Sequence, residues 1–234
     1  SLSNPSVYFD SNIKGYFNIL ELSKIYKIKH LIFASSSSVY GDNDKFPLKE
    51  NNNTDKPISF YGASKKINEI MSYSYSYSYK IPITGLRFFT VYGPYGRPDM
   101  ALEKFTNQII KNKQIEIFNY GKNYRDFTFI DDVTECIKKL INKPSKAQTP
   151  YQIFNIGNGK SINIMEYVNE ISSVLRKKVK YKLVKKQKSD VVKTLSSITN
   201  LKNKIKFSPN TYLKDGIEKY IKWYKEYYIN GKKQ

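Results

Sequence analysis

Three short strand-like segments restrict the fold of this 234-residue chain more than any other feature. They cover 30–34, 83–89 and 151–156. The first is a continuous apolar run, which is typical of a strand buried on both faces of a parallel sheet, and 83–89 is expected to be another buried strand. The strand, helix and strand over 30–89 form a βαβ unit, whose crossover is right-handed. The chain therefore predicts an α/β fold with a parallel sheet.

Helical periodicity predicts the segments around these strands. Over 5–27, Ile13, Tyr16, Phe17 and Leu20 are spaced i, i+3, i+4, i+7, as on one face of a helix. A second helix begins near residue 60 and is extended through the Ser-Tyr tract 72–79, although the tract's period of two alone would also fit a strand. A short strand is expected at 114–118. Further helices are expected at 101–113, 131–142, 164–175 and 213–228.

The charge is strongly positive, at a formal +20, and only four of the 40 basic residues are arginines. We interpret the lysines as a compositional bias on solvated faces, with an anionic partner as the alternative. The sequence has no helix-turn-helix pattern, and this argues against nucleic-acid binding. The single cysteine and the lack of an 18-residue apolar run predict a cytoplasmic protein without a membrane span. His30 and Cys136 do not form a metal-site pattern.

Tyr61 and Lys65 are the first catalytic candidates, because a spacing of i, i+4 puts both on one face of a helix. A tyrosine base near pH 7 needs its phenolate stabilised by about 4 kcal/mol, and a nearby lysine supplies part of this. Such pairs also arise by chance. The four serines 35–38 favour the catalytic interpretation, since they follow a strand at the sheet edge where ligands bind. The alternative for them is a polar turn.

An ordered set of motifs resembles the NAD-dependent epimerase/dehydratase family of extended short-chain dehydrogenases/reductases, and within it the glucuronate 4-epimerases. The matching segments are Asn4-Pro5-x-x-Tyr8 with Asn12 and Gly15, 35–41, Tyr61-Gly62-Ala63-Ser64-Lys65, 86–94, 96–101 and 125–132, with weaker similarity at 155–158 and 223–224.

The resemblance implies a transient oxidation of the sugar at C4 by bound NAD. Tyr61 would be the general base, Lys65 would tune it and hold the nicotinamide ribose, and Ser36 would bind the reacting hydroxyl. Asn12 and Phe89 match cofactor contacts. The positions matching contacts to a UDP-sugar are Ser37, Thr90, Phe118, Arg125 on the diphosphate, Asp190 and Thr194.

Three positions narrow the expected reaction and substrate. Related dehydratases and decarboxylases carry acidic residues where this chain has Ser37 and Ser38, so the resemblance favours epimerisation. Arg97 lies in a loop like that of glucuronate epimerases, and an arginine suits the C6 carboxylate of a hexuronate. A structural pair between Arg97 and Asp99 is the alternative.

The family's Gly-rich phosphate loop has no match in this chain, so we expect a partial doubly wound, Rossmann-like sheet lacking its first βα units, about 90 residues. The predicted units are an NAD-binding part (1–90, with 126–156 returning to it) and a smaller α+β substrate domain (91–125 and 157–234). The expected activity is UDP-glucuronate 4-epimerisation, with a homodimer at full length. The alternatives are a UDP-glucose or UDP-N-acetylglucosamine 4-epimerase, and an inactive fragment or non-catalytic interaction module.

Overall fold

The computed structural model describes residues 4–187 and 190–231. The helices are α1 Pro5–Tyr8, α2 Gly15–Ile25, α3 Phe60–Tyr79, α4 Ala101–Ile110, α5 Ile130–Ile141, α6 Ile164–Leu175, α7 Thr199–Ile205 and α8 Leu213–Tyr224. The strands are β1 Leu31–Ser36, β2 Ile83–Phe88, β3 Thr90–Tyr92, β4 Ile115–Ile117, β5 Tyr124–Arg125, β6 Phe127–Phe129, β7 Tyr151–Ile156, β8 Ile162–Asn163 and β9 Tyr181–Leu183. None of the helices in these ranges is both long and apolar enough to cross a membrane.

The main sheet is parallel and has the order β1-β2-β7, which confirms the predicted α/β class. Its register places Ser35, Arg87 and Asn155 side by side across the three strands. Parallel strands end at the same edge, so the polar residues that follow each of them meet there. This edge carries the candidate site.

The first predicted helix forms, with one local difference. Between α1 and α2 the chain makes a π-helical turn at Phe9–Lys14, in which the Gly15 N–H donates to the carbonyl of Asp10. Amphipathic spacing does not distinguish a wider turn of this kind from a regular one.

The Ser-Tyr tract is helical, as predicted, and α3 continues to Tyr79 before Lys80 adopts a left-handed conformation. The period of two is compatible with a helix because Ser72 and Ser76, four residues apart, are both buried. The hydroxyls of Ser72 and Tyr16 lie 2.6 Å apart, which joins α3 to α2.

A second core is built around aromatic side chains. The rings of Phe127 and Tyr167 stack at a centroid distance of 4.0 Å, and Tyr92 packs edge-on against both. The surrounding strands pair as β3 with β6, β4 with β9 and β5 with β8. Helices α5 and α7 instead pack with the apolar residues of β2 and β7. The domain boundaries stay a prediction. In the structure, β6 packs in the aromatic core and α7 packs on the main sheet.

Candidate functional site

Tyr61 and Lys65 lie in the first turns of α3. The Ser59 hydroxyl caps this helix by accepting from the Gly62 N–H at 3.0 Å. The Lys65 ammonium lies 5.9 Å from the centre of the Tyr61 ring. Burial lowers the pKa of Lys65, which shows that its charged form is partly desolvated. A half-buried cation at this distance is placed to stabilise a phenolate on Tyr61.

The serine segment forms a tight turn beside the start of α3. Strand β1 ends at Ser36, and the 3₁₀ turn Ser37–Tyr40 follows. The Ser36 hydroxyl accepts from the Ser38 N–H at 3.1 Å and lies 3.2 Å from the Ser38 hydroxyl. A methyl group on Gly62 would come within 2.6 Å of the Ser38 carbonyl oxygen, so only glycine allows this approach. The structure therefore brings Ser36, Ser37 and Tyr61 to one edge of the sheet.

A buried ion pair connects α3 to the main sheet near this edge. Arg87 on β2 makes two hydrogen bonds to the Glu69 carboxylate of α3, at 2.8 and 2.9 Å. The Ser35 hydroxyl donates to the same carboxylate at 2.6 Å, and Arg87 also donates to Tyr40 at 3.0 Å. Although burial opposes its charge, the bond to Glu69 raises the pKa of Arg87 above its ordinary value. The network ties α3 to β1 and β2, and Arg87 is structural.

Asn12 belongs to the π turn and contacts α3. Its amide donates to the Ser64 hydroxyl at 3.0 Å, and that hydroxyl donates to the Tyr61 carbonyl at 2.8 Å. The Tyr8 ring packs edge-on against the Tyr61 ring at 6.1 Å. Helix α1 and the π turn that follows it therefore hold the ring and the backbone of Tyr61 in place.

Most of the remaining candidate site residues line two cavities beside the aromatic core. One of about 350 Å³ is lined by Phe89, Thr90 and Arg97. The other, of about 250 Å³, is lined by Thr90, Phe118, Arg125 and Asp190. Thr90 lines both, so the two spaces are neighbours. The cavity linings do not include Ser36, Tyr61, Lys65 or Thr194.

Both candidate arginines have carboxylate partners. Arg125 pairs with Asp190, whose other oxygen accepts from the Asn123 amide at 2.8 Å. Arg97 is exposed and pairs with Asp99, with a distance of 3.0 Å between its Nε and Oδ1. The bond to Asp99 raises the pKa of Arg97, with smaller contributions from the Tyr8 and Tyr61 phenols. Arg97 thus lies within electrostatic range of Tyr61.

Asp126, between β5 and β6, joins the loop residues 158–159 and 194–196, a role that its motif does not predict. Its buried carboxylate accepts from the N–H groups of Asn158, Gly159 and Ser196 at 2.7, 3.1 and 2.9 Å. Its own N–H donates to the Thr194 hydroxyl at 3.0 Å, so that hydroxyl is engaged in the fold. Burial raises the pKa of Asp126, while these bonds to the carboxylate oppose the shift. These partners are distant in sequence, and only the position of Asp126 within a motif singles it out.

The residues that would hold a dinucleotide lie at its nicotinamide-ribose end. Lys65 is half-buried, and among the salt bridges of the described residues no carboxylate pairs with it. A desolvated ammonium of this kind fits ribose hydroxyls as partners. Within the described ranges, no three His, Cys, Asp or Glu side chains cluster as metal ligands.

The sequence is similar to that of known proteins. A model of the NAD dependent epimerase/dehydratase family matches residues 1–157. Protein CapI of Staphylococcus aureus is 44% identical over 242 residues, covering 97% of this chain and 72% of CapI.

Two solved structures superpose closely. A UDP-N-acetylglucosamine 4-epimerase from Methanobrevibacter ruminantium, in complex with UDP-N-acetylmuramic acid, has a TM-score of 0.88 and 29% identity over 96% of this chain and 72% of its own. A UDP-glucuronic acid 4-epimerase from Bacillus cereus, in complex with UDP-glucuronic acid and NAD, has a TM-score of 0.86 and 30% identity over 93% of this chain and 68% of its own.

Proposed function

Because this chain belongs to the NAD-dependent epimerase/dehydratase family, whose cofactor is NAD, we propose that it interconverts UDP-glucuronate and UDP-galacturonate. The observation that carries the proposal is the packing of Tyr61, Lys65 and the serine turn at one sheet edge, next to cavities lined by Arg97 and Arg125. The Bacillus cereus relative, named for UDP-glucuronic acid, supports the substrate.

In the proposed reaction Tyr61 moves one proton. Its phenolate oxygen accepts the proton of the sugar C4 hydroxyl and later returns it to the same oxygen. Bound NAD would supply the acceptor, and then the donor, for the C4 hydride, which would return to the other face of the ketone. The half-buried Lys65 ammonium beside the Tyr61 ring supplies part of the stabilisation that the phenolate requires in this reaction.

Ser36 holds the reacting hydroxyl in this scheme, and Ser37 lies next to it at the edge of the sugar. Asn12, Lys65 and Phe89 would contact the cofactor at its nicotinamide-ribose end. Thr90, Phe118, Arg125, Asp190 and Thr194 would hold the nucleotide, with Arg125 on the diphosphate. The Arg125–Asp190 pair and its Asn123 contact pre-orient the guanidinium for that task.

Two alternatives stay open to direct test. The Methanobrevibacter relative supports an N-acetylhexosamine substrate, since its overall structure is as similar as that of the glucuronic acid enzyme. A non-catalytic interaction module of the same family is the second alternative, and turnover of either sugar by this chain would exclude it. The cytoplasmic location stays a prediction, and so does the homodimer, which sedimentation equilibrium would contradict by giving the mass of one chain.

Arg97 decides the substrate in this proposal, so Arg97→Ala is expected to affect the two sugars unequally. Loss of a charge-assisted pair to the C6 carboxylate should raise the KM for UDP-glucuronate about 10- to 100-fold. UDP-glucose has no such carboxylate, and its KM should change less than about threefold. Steady-state kinetics on both sugars measure the ratio.

Arg176→Asn is the matched control, because it removes an exposed arginine and suits the left-handed backbone there. Its kinetic constants should equal those of the wild type. Equal losses for both sugars in Arg97→Ala would contradict the carboxylate contact and favour the structural pair with Asp99.

A further inference from the structure

The loop between β3 and α4 is held at both ends by the aromatic C-terminal segment, which comprises α8 and the π turn Lys225–Ile229. Near the start of the loop, the Tyr95 ring lies 5.0 Å from Trp223 and 6.1 Å from Tyr227. Past its end, in the first turn of α4, the buried Glu103 carboxylate accepts from the Tyr220 hydroxyl at 2.8 Å. Arg97 lies between the two attachments.

Tyr95 depends on this contact for its position. Its φ is +59°, a left-handed conformation that costs a non-glycine residue about 1 kcal/mol. The side chain is 79% exposed, so burial in the core does not hold it. A strained backbone of this kind persists only where its surroundings fix it. Among the described residues, the aromatic contacts of Tyr95 are with Trp223 and Tyr227.

The aromatic segment is itself anchored in the core. Trp223 and Tyr227 stack at 5.2 Å with planes 21° apart. Trp223 also packs against Tyr220 at 5.6 Å, and Tyr220 is almost fully buried. A continuous series of rings therefore runs from the second core to the exposed loop. Restraint is transmitted along packed side chains of this kind because they have few alternative arrangements.

We propose that the contact of Tyr95 with Trp223 and Tyr227, the aromatic clasp, positions Arg97 for the carboxylate of a hexuronate substrate. This inference rests on the proposed function. Arg97 is two residues from Tyr95, and its partner in the structure is the equally exposed Asp99. A loop released from the clasp spreads the guanidinium over more positions, and apparent affinity falls with the fraction of molecules that have it in place. Tyr95, Trp223 and Tyr227 are positioning residues.

The test is the Kd of the protein for UDP-glucuronate and for UDP-glucose, measured by calorimetry in the presence of NAD. Tyr95→Ala should weaken UDP-glucuronate about tenfold and UDP-glucose less than twofold. Tyr95→Gly accepts the left-handed backbone without strain but lacks the ring, and the same loss is expected. Tyr95→Phe keeps the ring and should bind as the wild type does. Tyr26→Ala removes a tyrosine of similar exposure, 74%, and should change neither value.

A double variant separates the clasp from other effects. If the clasp acts through Arg97, Tyr95→Ala should add nothing to Arg97→Ala, and additive losses would overturn the inference. An unchanged ratio of the two Kd values in Tyr95→Ala, with or without an equal loss for both sugars, would overturn it as well. If Arg97→Ala itself leaves the preference unchanged, the proposed function fails. If Arg97→Ala removes the preference and Tyr95→Ala does not, only the clasp fails.

Discussion

Replacement of Tyr61 by phenylalanine should lower kcat about 10²- to 10⁴-fold, the usual contribution of a positioned general base. The substitution removes only the hydroxyl. The ring keeps its edge-on contact with Tyr8, and the backbone keeps its bond to Ser64, so folding and UDP-sugar binding should be unchanged. Conversion of UDP-glucuronate by the variant and the wild type, at equal denaturation midpoints, measures the effect.

Tyr79→Phe is the control for Tyr61→Phe, because it removes an exposed phenol from the other end of the same helix. Its kcat should equal that of the wild type. If Tyr61→Phe retains kcat within a factor of about three, another group takes the C4 proton. In that case Ser36→Ala, which removes the hydroxyl proposed to hold the C4 hydroxyl, should lower kcat instead.

The second large effect is expected on stability, at the buried pair of Glu69 and Arg87. Glu69→Ala should lower the free energy of unfolding by about 3–5 kcal/mol, since it leaves the Arg87 charge buried without its partner. The side chains are only 3% and 4% exposed, so water cannot replace the lost bonds. For a chain of this size the melting temperature should fall by about 10 °C.

Two further variants separate the buried charge from the loss of one contact. Replacing both Glu69 and Arg87 by methionine should cost less than Glu69→Ala, because no unpaired charge remains. Glu135→Ala breaks the exposed pair with Lys139 on α5 and should cost less than about 1 kcal/mol. Urea denaturation of the four proteins gives these values. A cost for Glu69→Ala as small as that for Glu135→Ala would show that the network does not support the sheet edge.

The parts of the fold that follow from local patterns could be predicted from the sequence. The three strands of the main sheet are short segments rich in apolar residues, and the Ser-Tyr tract extends a helix that begins near residue 60. The π turn at Phe9–Lys14 was not predicted, because one wider turn leaves the apolar spacing nearly unchanged. The packing of α7 on the main sheet depends on tertiary contacts of Leu201 and Ile205 that periodicity does not encode.

The candidate site divides in the same way. Tyr61, Lys65 and the serines are close in sequence and carry recognisable motifs, so their meeting at the sheet edge could be anticipated. Asp126 binds groups more than 30 residues away, and the Tyr95 ring meets a helix at the other end of the chain. Such contacts leave no local signal. Arg87 is one of four arginines and lies in the matching segment 86–94, and its burial with Glu69 decides that its role is structural.

The central claim is that this chain exchanges the configuration of UDP-glucuronate at C4 by moving the hydride of that carbon. Proton NMR of UDP-glucuronate incubated with the protein and NAD in D₂O tests it most directly. UDP-galacturonate should appear and keep its hydrogen at C4, because in the proposed reaction the hydride returns from the cofactor and not from solvent. Deuterium at C4 of the product, or conversion of UDP-N-acetylglucosamine while UDP-glucuronate stays unchanged, would contradict it.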